Sequence, residues 1–169
     1  TKVGHPVQSV EDRDLLQSQL DSLYKWSQDW GMEFNVDKCK VLHYGKKNQE
    51  YSYTMNGTEM EKVDTEKDVG VLVNKTGKPS EQCTKASRTA NGILSQISKA
   101  FHYRDRHIFL KLYKSQVRVH LEYATPAWSP WQVGDCEVLE KVQKRAVNMI
   151  SGLSGSYEEK LNVLNIEKL

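Results

Sequence analysis

The sequence predicts an α+β protein: an N-terminal helix plus a small antiparallel sheet, followed by an α-helical bundle. Three observations lead there. Apolar residues recur at spacings of three and four over about 11–30. Short apolar or alternating runs, separated by turn residues, fill 40–73. From residue 80 the period turns helical and stays so to the end. The change near residue 78 is the one subdomain boundary, dividing the chain into 1–78 and 79–169.

Each element has its own signal. Glu11, Asp12 and Asp14 crowd the first turn of the first helix, where the dipole is positive. Leu16, Leu20, Leu23 and Trp30, with Tyr24 and Trp26 alongside, mark its apolar face, and Gly31 ends it. Lys40–Tyr44 reads as a short strand stopped by Gly45. Tyr51–Met55 alternates, Asn56-Gly57 is the strongest hairpin signal, and Thr58–Val63 returns as a strand. Val69–Val73 is almost wholly apolar and is predicted as a buried strand. Asp64, Glu66 and Asp68 fall in a predicted turn.

Ser80 is the expected N-cap of the next helix, with a stripe of Cys83, Ala86, Ala90, Ile93, Leu94, Ile97 and Phe101. A helix over about 105–121 carries Ile108, Phe109, Leu112, Val117 and Leu121 as apolar positions. The loop 122–134 places Trp128 and Trp131 over the core. Helices over 135–151 and 156–165 close the chain, the former with Val138, Leu139, Val142, Ala146, Met149 and Ile150 inward.

Composition narrows the function. Lys and Arg total 24 against 22 Asp and Glu, a net charge of +2, so a nucleic-acid signal must come from the placement of charges. No apolar run reaches the length of about 18 residues that a membrane helix needs. The three scattered cysteines and the lack of a signal pattern fit reduced thiols and an intracellular setting, nucleus or cytoplasm. No metal ligand set, phosphate-binding glycine loop or nucleophile elbow is present in the sequence.

Basic residues remain. Lys111, Lys114 and Arg118 are spaced to share a helix face. Lys85, Arg88 and Lys99 line the polar side of the preceding helix, and Arg104 and Arg106 mark the corner between the two. Such faces can track a phosphate backbone or be ordinary solvated surface. Lys141, Lys144 and Arg145 are diluted by Glu137 and Glu140. Lys38 is a lone lysine at a strand entrance.

Several segments in order resemble the reverse transcriptases of LINE-type (non-LTR) retrotransposons. They are Leu15–Leu23 with Trp26-Ser27, Phe34-Asn35 with Lys38–His43, Lys67–Val73, Ala90–Leu94, Leu112–Tyr123 with Ala127–Pro130, and Leu139–Ala146. The family usually has Leu where Val69 stands and Pro where Val119 stands. The resemblance implies the C-terminal part of an RNA-directed DNA polymerase: the end of the palm, a primer-grip-like hairpin at Val69, Gly70 and Val71, and a helical thumb. It implies a general-acid role for Lys38 toward departing pyrophosphate.

The family's catalytic Asp-Asp motif would precede Thr1. The chain is therefore expected to be a fragment, truncated just after that motif and not catalytic alone. Its expected partners are an RNA/DNA primer–template duplex, bound weakly and nonspecifically, and the missing palm and fingers portion. No cofactor is expected in this chain, and Mg²⁺ only for a complete polymerase. The competing readings are a host-retained protein-interaction module and a non-functional remnant.

Overall fold

Ser9 starts the first helix. Its hydroxyl accepts the backbone N–H of Asp12, and the Asp12 carboxylate accepts the N–H of Ser9, a reciprocal capping box. The computed structural model describes residues 2–169. It is an α+β fold that divides into two compact units, Thr1–Lys78 and Pro79–Leu169.

In the first unit, α1 spans Val10–Asp29. It ends where Gly31, at φ +64°, donates to the carbonyl of Gln28 while Met32 donates to that of Ser27. This double bond pattern closes a helix through a left-handed residue that glycine adopts without steric cost. A 3₁₀ turn, Val36–Lys38, leads into β1, Lys40–Leu42. Strands β2 (Thr54–Met55) and β3 (Thr58–Glu59) form the predicted Asn56-Gly57 hairpin, with both turn residues at positive φ. Leu20 of α1 meets Tyr53, Met55 and Met60 in the core, flanked by Leu16, Tyr24, Phe34, Val36 and Val41. Gln17 fastens the helix to the hairpin by donating to the Thr54 carbonyl at 2.9 Å and accepting its N–H at 3.0 Å.

Three details differ from the sequence reading. Trp26 and Trp30 do not face the core; they are exposed, with ring centroids 6.4 Å apart. Ser27 is the buried residue of that turn, since positions 20, 24 and 27 line up at helical spacing and Trp26 and Trp30 fall on a neighbouring face. The predicted return strand Thr58–Val63 breaks at Met60, which turns into the core. The chain then continues as β4, Glu61–Val63, paired in parallel with β1. The strands thus form three two-stranded ladders: β1–β4 parallel, β2–β3 antiparallel, and β5 (Thr65–Asp68) with β6 (Val71–Asn74) antiparallel. Glu66 and Asp68 lie on β5, so the turn predicted there is a strand. Val69 and Gly70, predicted as strand, are the turn.

In the second unit, α2 spans Ser80–Ala100. Pro79 occupies the cap position predicted for Ser80, whose hydroxyl instead donates to Asp135 at 2.8 Å. Cys83, Ala86, Ala90, Leu94 and Ile97 are buried, while Phe101, predicted on the same stripe, is exposed. The predicted helix 105–121 is α3 (Arg106–Leu112), a π-helical stretch (Tyr113–Arg118) and α4 (Val119–Glu122). Phe109, Tyr113, Val117 and Leu121 are its buried positions. Steps of four residues overshoot a 3.6-residue turn, and the wider π turn absorbs the excess. Ile108, predicted inward, is exposed, since its neighbour Phe109 faces the core about 100° round the helix, and Tyr113 takes the core position one turn on.

A short turn, α5 (Thr125–Trp128), buries Trp128, whose indole N–H donates to the Tyr123 carbonyl at 2.7 Å; Trp131 is exposed, against expectation. Helix α6 (Val133–Asn148) packs on α2, and α7 (Tyr157–Leu164) begins with a Ser156–Glu159 capping box. At the centre, Gln143 is fully buried. It accepts from the Tyr113 hydroxyl at 2.8 Å and donates to the Glu167 carbonyl at 3.0 Å and the Tyr157 hydroxyl at 3.2 Å. Tyr157 donates in turn to Glu140.

Candidate nucleic-acid interface

Helix α2 is the cationic surface with the simplest geometry. At about 100° per residue, Lys85, Arg88 and Lys99 lie within about 60° of one another, on the side opposite the buried stripe. They span about 21 Å of helix axis at about 1.5 Å per residue. After Glu81, which shares this face at the N-terminal end, no Asp or Glu occurs until Asp105. The face is thus uniformly cationic along most of its length. Arg88 and Lys99 are exposed and Lys85 is half-buried.

The remaining predicted cations divide. Lys111 and Lys114 are exposed on α3 and the π stretch. Arg118, predicted to share their face, is turned into the unit. It pairs with Glu122 at 2.7 Å and reaches the Gln143 side chain and the Glu167 carbonyl. The π turn breaks the 3.6-residue register on which the shared face depended. Arg104 donates to the carbonyl and hydroxyl of Ser98 at 3.2 and 2.8 Å, and Arg106 to the Val163 carbonyl. A planar guanidinium suits carbonyls left open near helix ends, so these arginines are committed to structure. Arg88, Lys99, Lys111 and Lys114 form no ion pair among the described residues. On α6, Arg145 bonds Asn91 at 2.9 Å and Ser95 at 3.3 Å of α2.

Local electrostatics follow from caps and burial. Asp105, N-cap of α3, accepts the N–H groups of Ile108 and His107; these bonds, that from Ile108 first, hold its carboxyl below the usual range. Burial pushes the Cys83 thiol up to about 11.

In the first unit, Val69 and Gly70 make a two-residue turn with φ of +44° and +89°, and the Val69 side chain is 81% exposed. A β-branched residue in the left-handed region is an outlier that costs on the order of 1–3 kcal/mol. Val71, one step along, is buried. Lys38 is exposed at the end of the 3₁₀ turn that precedes β1.

Asp64 pairs with Lys75 at 2.8 Å and Asp68 with Lys2, and among the described residues no three His, Cys, Asp or Glu gather to hold a metal. Among the described residues, no helix is long and apolar enough to cross a membrane. Comparison with protein-family models, with curated proteins and with solved structures finds no match.

Sequence reasoning missed Gln143, whose helical position between Val142 and Lys144 carries no local sign of burial. It also missed His43, which is buried with its Nε2 unpaired among the described residues, its ring 6.3 Å from that of Tyr53.

Proposed function

We propose that this chain contacts nucleic acid and is related to the reverse transcriptases of LINE-type retrotransposons, with α2 lying along the phosphate backbone of a primer–template duplex. One observation carries the reading: Lys85, Arg88 and Lys99 form a cationic face opposite the buried side of α2, and no acidic residue interrupts it after Glu81. The ordered motif resemblance supplies the class of nucleic acid and likens the hairpin that carries the exposed Val69 to a primer grip. Contacts of this kind are electrostatic, so binding is weak, sequence-independent and salt-dependent.

The test is a salt titration of duplex binding. The Arg88→Ala, Lys99→Ala double variant lowers the slope of log K against log salt by about 1.8, two contacts at about 0.9 each. An unchanged slope assigns the face to ordinary solvated surface. The resemblance puts the metal-binding carboxylates of polymerase chemistry outside the matched segments, so the reading expects that this chain alone does not extend a primer on an RNA template with Mg²⁺. Template-dependent nucleotide incorporation by the purified chain would overturn that expectation.

One observation favours a protein-interaction module: Trp26, Trp30 and Met32 are exposed together at the end of α1. In that reading, Trp26→Ser with Trp30→Ser abolishes capture of a protein partner and leaves the salt slope unaltered.

A further inference from the structure

Gly92 lies in the interior of the 21-residue helix α2. Glycine there is unfavourable relative to alanine, because it loses more backbone freedom on folding and covers no surface. Neither of the usual reasons for a helical glycine applies. Its φ is not in the left-handed region, and among the described residues a Cβ built on it meets no atom within 4 Å outside its own helix backbone and chain neighbours. The fold of this unit would accept a side chain at position 92.

On the outer face, Gly92 has Arg88 and Thr89 one turn before it and Ser95 and Gln96 one turn after, with Lys85 and Lys99 two turns away. Lys85 is seven residues before it, Arg88 four before and Lys99 seven after, all spacings that return to the same side of a helix. Gly92 is thus bare backbone between Arg88, one turn before it, and Lys99, two turns after it, with the neutral Ser95 and Gln96 between Gly92 and Lys99. We propose that Gly92 is the point of closest approach between α2 and the sugar–phosphate backbone of a bound duplex, with Arg88 and Lys99 gripping phosphates on either side. This rests on the reading of α2 as a duplex-contacting helix and adds to it the contact position. A side chain at 92 would hold the strand away from the helix, and the attraction between a guanidinium and a phosphate falls as the distance grows. The glycine removes that spacer, and its helix-propensity cost is the trade for contact.

The experiment uses the full chain, a short fluorescent RNA–DNA hybrid and anisotropy at low salt. Two positions are compared: Gly92, and Gly134 in the first turn of α6, which also is exposed with nothing near a built Cβ. Gly92→Ala raises Tm by about 4 °C, in line with its gain in helix propensity, yet weakens binding. Gly92→Leu weakens binding about tenfold, about 1.4 kcal/mol, and lowers the salt slope by about 0.9, one phosphate contact. Gly134→Leu binds as the unaltered chain does. The inference fails if Gly92→Leu, folded by circular dichroism, binds as tightly as the unaltered chain while Arg88→Ala with Lys99→Ala weakens binding; the cationic face then stands without the contact position. If the unaltered chain itself does not bind the hybrid, the reading of α2 falls and the inference with it.

Discussion

Replacing Gln143 by Leu tests whether the buried polar network holds the helical unit together. Leucine is close in volume, so packing with Val142, Ala146 and Val147 is largely kept. What is lost is pairing. The Tyr113 hydroxyl, on a residue only 2% exposed, loses its acceptor at 2.8 Å, and the Glu167 carbonyl loses a donor at 3.0 Å. The carbonyl keeps the Arg118 guanidinium at 3.4 Å, and the Tyr157 hydroxyl keeps Glu140, so the stranded Tyr113 hydroxyl dominates the cost. A buried hydroxyl left without a partner costs about 1–3 kcal/mol, and with the weakened carbonyl the total is about 2–3 kcal/mol. For a unit of this size that lowers Tm by roughly 10 °C or more.

The decisive measurement is a double-mutant cycle with Tyr113→Phe, read by urea unfolding and far-UV circular dichroism. Removing both partners leaves no orphan, so the double variant regains about 1–2 kcal/mol relative to the sum of the singles. A Gln143→Leu protein as stable as the unaltered chain, or a strictly additive cycle, refutes the network as the source of stability.

Other outcomes follow from single sites. Val69→Asn relieves the left-handed strain at the β5–β6 turn and stabilises the hairpin by about 1 kcal/mol, seen as slower amide exchange across β5 and β6; unchanged exchange contradicts the assignment of strain. Asp105 has a folded-state pKa below its unfolded value, so its stabilising contribution is present above about pH 4 and is lost as pH falls through the folded value. Asp105→Asn, which keeps a capping oxygen without the charge, should therefore flatten the acid limb of the stability curve, and an identical acid limb argues against it. Cys83, fully buried with its thiol pushed up to about 11, should resist iodoacetamide near neutral pH until the unit is denatured, whereas the half-buried Cys39 and Cys136 react earlier. Peptide mapping of the alkylated protein distinguishes the three, and early labelling of Cys83 refutes the packing.

Local chemistry made much of the fold legible. The acidic first turn and Gly31 bound α1 to within a residue or two, and Asn56-Gly57 located its hairpin, because caps and two-residue turns are decided by neighbours in the chain. The helical stripe from Cys83 to Ile97 located α2 for the same reason: one period sets one buried face. The candidate site was legible in the same measure. The outward placement of Arg88 and Lys99 follows from that stripe alone.

Tertiary structure decided the rest. The parallel pairing of β1 with β4 joins residues about twenty positions apart and rests on Met60 finding the core, which no local signal encodes. Apolar strand character drew Val69 into the predicted strand, but Val71 needed burial and β5 needed a partner, so the turn fell on Val69. Arg118 has the composition of a surface cation; a π turn rotated it inward, where a buried glutamine and a C-terminal carbonyl await its donors. Trp26 and Trp30 have the hydrophobicity of core residues but face outward, because the turn that docks α1 buries the small Ser27. Periodicity assigns faces to a helix taken singly. Which of two adjacent faces is covered, and which polar side chain finds a buried partner, depends on the shape of what packs against it.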